Sequence, residues 1–281
     1  MGYCFGADVG GTTVKLGLFT EEGEILDKWE IVTRTENEGE TILPDIAKAL
    51  KDKIQEKAIR SRDVIGVGMG IPAPVNSEGI VRQTANLGWG YKEVKRELQE
   101  LTGWQVVVGN DANVAALGEM WKGAGHGEKN MVMVTLGTGV GGGAIIEGRP
   151  LTGANGAGGE IGHICVNYSE EKCCGCGKKG CLEQYASATG IARLARERLN
   201  ADESATILRD YELDKVDAKA VFDALKAGDQ VAEEIVEQFG LYLAKGLADV
   251  AVVLDPNLFV IGGGVSKAGE ILLTYVKKYY Q

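Results

Sequence analysis

The sequence predicts an α/β protein made of two similar halves. Residues 3–19 have the pattern of a strand, a glycine turn and a second strand, and residues 131–146 repeat it about 130 residues later. In both halves, apolar residues at helical spacing indicate amphipathic helices that cover a sheet. The chain has 281 residues, 44% of them hydrophobic, which favours two domains, and we expect these at 1–112 and 113–281.

The composition argues against several classes of partner. The 30 basic and 40 acidic residues give a net charge of −10, with no basic cluster of the kind that grips nucleic acid or anionic lipid. No apolar run approaches the ~20 residues of a membrane-spanning helix, and Met1 is followed almost at once by a strand pattern instead of a signal segment. We therefore expect a cytoplasmic protein with reduced thiols that binds neither nucleic acid nor membranes.

The turn of the first strand pair is suited to binding phosphate. It reads Gly10-Gly11-Thr12-Thr13 and follows Asp8 closely. Bare backbone N–H groups and threonine hydroxyls can bond a phosphate that approaches closely, and the Asp8 carboxylate can hold Mg²⁺ or its water shell. An ordinary hairpin with a Gly-Gly turn has the same pattern, so both interpretations stand at this point.

The second strand pair has a longer glycine-rich turn, which we place at residues 136–143. Gly137, Gly139 and Gly142 formally satisfy the dinucleotide fingerprint GxGxxG. We reject that match, because the fingerprint needs a helix after the turn and residues 144–148 read as a strand and a turn. Two phosphate turns that face each other across a cleft would instead hold a nucleotide between two domains.

Further polar residues follow predicted strands. Asp111 comes shortly after the strand at Val106–Val108, where α/β sheets place reactive groups, although it could equally be the N-cap of the next helix. The segment around Asn86 lies beside Trp89 and suits a carbohydrate or a solvated loop. The glycines at 262–264 end the last strand and could let adenine lie against bare backbone, or simply start a helix.

The stretch from Glu160 to Glu183 holds five of the six cysteines and one of the two histidines. The spacing of His163, Cys174, Cys176 and Cys181 offers one imidazole and three thiolates, which suits tetrahedral Zn²⁺. Four protein ligands would make this zinc structural. Disulfides or buried free cysteines are the alternatives, but adjacent Cys173 and Cys174 argue against a disulfide ladder.

Together these motifs resemble the sugar kinases of the ROK family, named for repressors, open reading frames and kinases, and most of all its bacterial glucokinases. The likeness extends almost from end to end. It rests on Asp8-Val9-Gly10-Gly11-Thr12-Thr13, Asn110-Asp111-Ala112-Asn113, Leu136-Gly137-Thr138-Gly139-Val140-Gly141-Gly142, Gly159-Glu160-Ile161-Gly162-His163, Cys174-Gly175-Cys176-Gly177-x-x-Gly180-Cys181-x-Glu183 and Gly262-Gly263-Gly264-Val265-Ser266.

The resemblance implies an actin-like ATPase fold of two ribonuclease-H-like domains, with ATP and a hexose in the cleft. The implied reaction is phosphorylation of glucose to glucose 6-phosphate with Mg²⁺, in a homodimer or homotetramer. Asp111 would be the general base, and the hexose ligands would be Asn86, Asn110, Asp111, Glu160, His163 and Glu183. Phosphate and Mg²⁺ would be held by Asp8, Gly10, Gly11, Thr12, Thr13, Thr135, Gly137, Thr138 and Gly139, and adenosine by Gly263 and Gly264. His163 would contact both the zinc and the sugar.

Two departures from the family pattern and two alternative functions remain. Ala73 stands where the family loop usually has glycine. The family usually continues beyond Gln281 with a glycine- and alanine-rich helix, so either the chain is truncated or its sequence is incomplete. The same motifs would also serve a kinase for N-acetylmannosamine, N-acetylglucosamine or fructose. Because the family includes sugar-sensing repressors, a non-catalytic sugar sensor is the other alternative.

Overall fold

The computed structural model describes residues 2–280, which pack into two compact units. The first unit comprises the chain up to Leu117 together with Pro150–Gly158, and the second comprises Gly118–Arg149 and the chain from Gly159 onward. Each unit has its own hydrophobic core. The return of residues 150–158 to the first unit was not expected from the sequence.

The first unit is built on a five-stranded sheet. Its strands are β1 (Tyr3–Val9), β2 (Thr13–Thr20), β3 (Ile25–Val32), β4 (Val64–Ile71) and β5 (Gln105–Asn110). Their order across the sheet is β3-β2-β1-β4-β5. The pairs β3/β2 and β2/β1 are antiparallel, and the pairs β1/β4 and β4/β5 are parallel. The helices are α1 (Ile42–Glu56), α2 (Val94–Thr102) and α3 (Asp111–Lys122), the last of which continues into the second unit.

Strand periodicity decides which side of β1 carries the polar group. Phe5, Ala7 and Val9 are buried in the core beneath α1, whose Ile46 and Leu50 are also fully enclosed. Because side chains alternate along a strand, Asp8 must lie on the opposite face, where its side chain is 59% exposed. The apolar residues of β1 therefore place the carboxylate at an accessible position.

Within residues 2–280, the second unit contains five α-helices and a four-stranded sheet, of which only Pro150 belongs to the first unit. Its strands are β6 (Met131–Leu136), β7 (Val140–Ile146), β8 (Arg149–Pro150) and β9 (Leu258–Gly262), in the order β8-β7-β6-β9. Its helices are α4 (Glu183–Ala186), α5 (Ala188–Ala201), α6 (Ala218–Lys226), α7 (Gln230–Leu254) and α8 (Glu270–Tyr280). A lipid bilayer could not be spanned by any helix within residues 2–280, since each is too short or too polar.

The repeat of strand, turn and strand is confirmed, but the second turn is shorter than predicted. It comprises residues 137–139, because β7 begins at Val140 and Gly142 pairs with Val134 of β6. A Cβ at Gly142 would lie 2.4 Å from the carbonyl oxygen of Gly159. This glycine is therefore required by close packing within a strand and not by a turn.

The spacing of apolar residues predicts one continuous helix over residues 184–199, but the structure interrupts it at Ser187. This residue has an extended backbone (φ −86°, ψ 168°) and separates α4 from α5. Its fully buried hydroxyl donates to the Glu183 carbonyl oxygen at 2.7 Å and accepts from the Gly190 N–H at 2.9 Å. Apolar periodicity continues across the break, so it hid the serine cap that marks the true start of α5.

The longest helix, α7, begins at a well-bonded aspartate. The Asp229 carboxylate accepts from the Ala232 N–H at 2.9 Å and from the Ile207 N–H at 2.8 Å. Burial opposes its ionisation, but these donors outweigh burial and lower the pKa of Asp229. The residue therefore both caps α7 and ties the preceding loop to it.

We predict that Asp229→Ala lowers the free energy of unfolding by about 1–3 kcal/mol at pH 7, since it leaves two N–H groups without acceptors. Since the folded-state pKa is lowered, this contribution is complete above the unfolded carboxyl pKa of about 4 and disappears as the pH falls through the folded value. Urea unfolding at pH 7 and at acidic pH measures the loss of unfolding free energy and its dependence on pH. The control is Asp217→Ala, which removes the one cap bond to Ala220 and should cost less; equal losses would contradict the assignment.

Candidate active site

The first turn has a backbone arrangement that can receive an anion. The Gly10 N–H donates to the Thr13 carbonyl oxygen at 3.0 Å and closes the turn. The N–H groups of Gly11 and Thr12 make no hydrogen bond to any part of the chain that the structure describes. Successive free N–H groups at a tight turn form a concave anion site. Asn86 lies against this turn, since a Cβ on Gly11 would be 3.2 Å from the Asn86 Cβ.

Asp111 lies where β5 ends and α3 begins, next to the end of β4. A Cβ on Gly70 would be 3.4 Å from the Asp111 Cα. The N-cap of α3 is Asn110, whose Oδ1 accepts from the N–H groups of Ala112 at 3.0 Å and Asn113 at 3.2 Å. The interpretation of Asp111 as that cap is therefore wrong, because the helix begins at Asp111 itself. Capping uses the side-chain oxygen of Asn110. Its amide nitrogen donates a long hydrogen bond to the Ala73 carbonyl oxygen at 3.4 Å.

The surroundings of Asp111 make its carboxylate more basic. The residue reaches solvent, yet enough protein surrounds the carboxyl for burial to raise its pKa. The charge of Asp8 raises the pKa further, against the hydrogen bond from the Ala112 N–H. Within residues 2–280, Asp8 forms one ion pair, and it is long, with 3.8 Å between the Asp8 Oδ2 and the Lys15 Nζ. The first unit thus brings an accessible carboxylate, a proton acceptor and an anion-binding turn into one neighbourhood.

The second turn repeats this arrangement. The Gly137 N–H donates to the Gly139 carbonyl oxygen at 3.0 Å, and the N–H groups of Thr138 and Gly139 have no hydrogen-bond partner within residues 2–280. The start of α5 holds the turn in place. The Ala188 N–H donates to the Gly137 carbonyl oxygen at 2.8 Å, and the Thr189 hydroxyl donates to the Thr138 carbonyl oxygen at 2.7 Å. Sequence reasoning missed both of these supports.

Two residues predicted to bind the nucleotide lie away from the tip of the turn. Thr135 is inside β6, between its partners Gly141 and Gly262, on the face opposite the buried Val134. Gly263 has a φ of 91°, and a Cβ there would lie 2.5 Å from the Leu136 carbonyl oxygen. Its glycine is therefore explained by backbone geometry and close packing.

A cavity of about 500 Å³ opens beside the second turn, within the second unit. This is a usual size for a small-molecule site. Apolar side chains, including Phe222, line most of it, and lysine side chains stand among them. Its lining includes Thr138, Thr189, Phe222, Lys226, Gly264 and Lys267. The predicted adenosine residue Gly264 lines this cavity, so the glycine turn and the loop after β9 share one recess.

The structure brings the four predicted metal ligands together. The candidate ligand atoms of His163, Cys174, Cys176 and Cys181 all lie within 4.8 Å of one another. The Sγ atoms of Cys176 and Cys181 are 3.6 Å apart, and Cys174 Sγ is 3.8 Å from His163 Nδ1. All six cysteines are free, which does not favour the disulfide alternative.

The donor set and its burial fit a soft divalent cation. Three sulfurs and one imidazole nitrogen are the ligands of tetrahedral structural zinc sites. Burial raises the pKa of Cys181 to about 12, so this thiol ionises readily only beside a positive charge. Cys165 and Cys173 lie outside the group. A metal could therefore be held without any further protein ligand by His163, Cys174, Cys176 and Cys181.

The Glu183 carboxylate connects the second turn to the loop that carries the candidate metal ligands, residues 163–181, which we call the metal loop. Its Oε2 accepts from the Val140 N–H at 3.1 Å, and its Oε1 accepts from the Cys174 thiol at 3.5 Å. Glu160 precedes the short 3₁₀ helix Ile161–His163, and its carbonyl oxygen accepts from the His163 N–H. Of the six predicted hexose ligands, the first unit contains Asn86, Asn110 and Asp111, and the second contains Glu160, His163 and Glu183.

Known proteins resemble the chain over nearly its whole length. A glucokinase of Halalkalibacterium halodurans is 46% identical over 278 residues, which are 98% of this chain and 84% of that protein. The crystal structure of a Streptomyces griseus ROK family glucokinase in complex with glucose and AMPPNP superposes with a TM-score of 0.74 at 37% identity, covering 99% of this chain and 88% of that one. A ROK hexokinase from Thermus thermophilus gives a TM-score of 0.82 at 33% identity, covering 99% and 87%.

These likenesses confirm the actin-like ATPase fold expected from the sequence. The model of the ROK family matches residues 4–281. With such a match and a glucokinase at 46% identity over the same span, the chain belongs to the ROK family.

Proposed function

We propose that this protein is a hexokinase-type kinase that transfers the γ-phosphoryl group of ATP to glucose, giving ADP and glucose 6-phosphate. The observation that carries the proposal is Asp111, a carboxylate with a raised pKa at the end of β5, close to an anion-binding turn. The glucokinase relatives, one of them solved with glucose and AMPPNP, support glucose and ATP as the substrates.

Phosphoryl transfer asks little covalent chemistry of the protein. It requires held phosphates, an in-line nucleophile and a carboxylate that accepts the hydroxyl proton. The free N–H groups of Gly11 and Thr12, and those of Thr138 and Gly139, would bind phosphate oxygens. Asp111 would accept the proton from the glucose 6-hydroxyl as the new O–P bond forms.

Mg²⁺ would neutralise phosphate charge in this reaction. Asp8 fits this ion, because its side chain is 59% exposed and its one ion pair within residues 2–280, with Lys15, is long. Thr12 and Thr13 would offer hydroxyls beside it. The adenosine would occupy the cavity beside the second turn, against the bare backbone of Gly264.

The hexose would be recognised by hydrogen bonds to carboxylate and amide side chains. Glu160 and Glu183 can each accept from two hydroxyls, and Asn86 offers an amide that both donates and accepts. The Asn110 oxygen already caps α3, so its amide nitrogen would serve as a donor. His163 belongs to the group of candidate metal ligands, and a metal on one ring nitrogen would leave the other for the sugar.

The metal in the cysteine loop would be zinc with a structural role. With three thiolates and one imidazole bound, no coordination position is left for a substrate. A bound metal also decides which ring nitrogen of His163 carries the proton, so the free N–H would point to the hexose. Assembly into a homodimer or homotetramer remains a prediction.

The first prediction about activity is that glucose gives the highest kcat/KM among hexoses with Mg-ATP, as the relatives and the paired acceptors Glu160 and Glu183 indicate. A coupled ADP-release assay would compare glucose, fructose, N-acetylglucosamine and N-acetylmannosamine. A higher kcat/KM for one of the other three would overturn the substrate assignment, and hexose binding without any turnover would identify a sugar sensor.

A second prediction concerns Asp111→Asn, which keeps the shape of the side chain but removes the proton acceptor. We expect kcat to fall roughly 10²–10⁴-fold while glucose affinity changes far less. Since the Asp111 pKa is raised, parent activity should decline as the pH falls through that pKa. Asp52→Asn, on the exposed surface of α1, is the matched control. If Asp111→Asn retained most of its kcat, another group would have to be the base.

A third prediction is that Cys176→Ser lowers the zinc content below about one per chain and weakens glucose binding, because His163 and Glu183 lose a fixed loop. Nucleotide binding at the two turns should persist. Elemental analysis and calorimetric titration with glucose and Mg-AMPPNP measure these effects. Cys173→Ser alters the exposed neighbour outside the metal group and should change neither. Unchanged glucose affinity in a zinc-free Cys176→Ser protein would refute the link.

A further inference from the structure

The Glu183 carboxylate lies directly against the turn that would receive the phosphates. Its Oε2 bonds the Val140 N–H at 3.1 Å, and a Cβ placed on Gly139 would be only 2.1 Å from the same oxygen. A glycine is therefore needed at position 139 for the carboxylate to reach this place. A predicted hexose ligand thus touches the backbone of the anion-binding turn.

The backbone around this contact is tied together at several points. Ser187 bonds the Glu183 carbonyl oxygen with its buried hydroxyl, and Thr189 bonds the Thr138 carbonyl oxygen. The Ala188 N–H bonds the Gly137 carbonyl oxygen. The junction between α4 and α5 therefore holds the Glu183 backbone and the turn in one arrangement, so a change at the carboxylate acts on a fixed neighbour.

The charge of Glu183 has no balancing cation among the side chains of residues 2–280, and a zinc ion in the neighbouring group would be outweighed by its three thiolates. Among residues 2–280, the carboxylate takes part in no ion pair, and its two partners are the Val140 N–H and the Cys174 thiol. The three lysines that line the adjacent cavity, Lys219, Lys226 and Lys267, form no ion pair with this carboxylate within residues 2–280. A polyphosphate bound at Thr138 and Gly139 would consequently meet an uncompensated negative charge at close range.

We propose that Glu183 couples hexose binding to nucleotide binding within the second unit. Without hexose, its charge repels the phosphates. With hexose, sugar hydroxyls donate to the carboxylate and disperse that charge, so the nucleotide binds more tightly. By thermodynamic reciprocity, the nucleotide strengthens hexose binding by the same factor. The inference rests on the proposed function for the identity of both ligands, but its central element is a carboxylate beside an anion site.

The test measures the dissociation constant of Mg-AMPPNP by calorimetry, first without any hexose. Glu183→Gln keeps an oxygen for the Val140 N–H and removes the charge, so the variant should bind Mg-AMPPNP roughly three- to tenfold more tightly than the parent. Adding saturating glucose should tighten Mg-AMPPNP binding by a similar factor in the parent and hardly at all in Glu183→Gln. A residue that only bound sugar would leave the hexose-free measurement unmoved.

The matched control is Glu160→Gln, a predicted hexose ligand for which the structure shows no hydrogen bond to the turn within residues 2–280. It should weaken glucose binding and leave the hexose-free affinity for Mg-AMPPNP as in the parent. Melting temperature and metal content show whether Glu183→Gln is folded. Should it not fold, the glucose dependence of Mg-AMPPNP binding in the parent decides alone.

Equal hexose-free affinities of parent and folded Glu183→Gln would overturn the inference, and so would a parent affinity that glucose does not alter although glucose binds. If glucose does not bind the parent at all, the substrate assignment of the proposed function fails. In that case the hexose-free comparison still decides the role of Glu183, so the two failures are distinguishable.

Discussion

In a protein with a net charge of −10, concentrated backbone N–H groups can provide a local site for a polyphosphate. Both units concentrate such groups with the same device. A glycine N–H closes a tight turn between antiparallel strands, at Gly10 in the first unit and Gly137 in the second, and two successive N–H groups remain free. The glycines leave the backbone N–H groups uncovered, and the threonine hydroxyls add hydrogen-bonding groups beside them.

The remaining groups of each unit are arranged around its turn by ordinary packing rules. In the first unit, strand alternation puts Asp8 on the accessible face of β1, and the end of β5 brings Asp111 close enough for the charge of Asp8 to raise its pKa. In the second unit, the turn is held by the start of α5 and by Glu183, which the metal loop contacts through Cys174. The candidate metal site and the candidate phosphate site are thus connected through the side chain of Glu183.

The metal loop is also held at its far end by a largely buried ion pair. Arg193 Nη1 lies 2.9 Å from Glu170 Oε2, with side chains 18% and 10% exposed. The Arg193 guanidinium also donates to the Gln184 carbonyl oxygen, and the Tyr185 hydroxyl donates to Glu170. Burial, together with that bond, raises the pKa of Tyr185 to about 12. Such fully bonded charges define one arrangement of the loop, even where their net contribution to stability is small.

The α/β class, the repeated strand pairs and the candidate metal group could be predicted from the sequence, because hydrophobic period, glycine turns and cysteine spacing are local signals. The structure was needed to show that Asn110 rather than Asp111 caps α3, that Ser187 divides a predicted helix, and that Glu183 lies against Val140. Each depends on which of several nearby polar groups reaches a given N–H. That competition is resolved by packing between segments far apart in the chain, which no local pattern records.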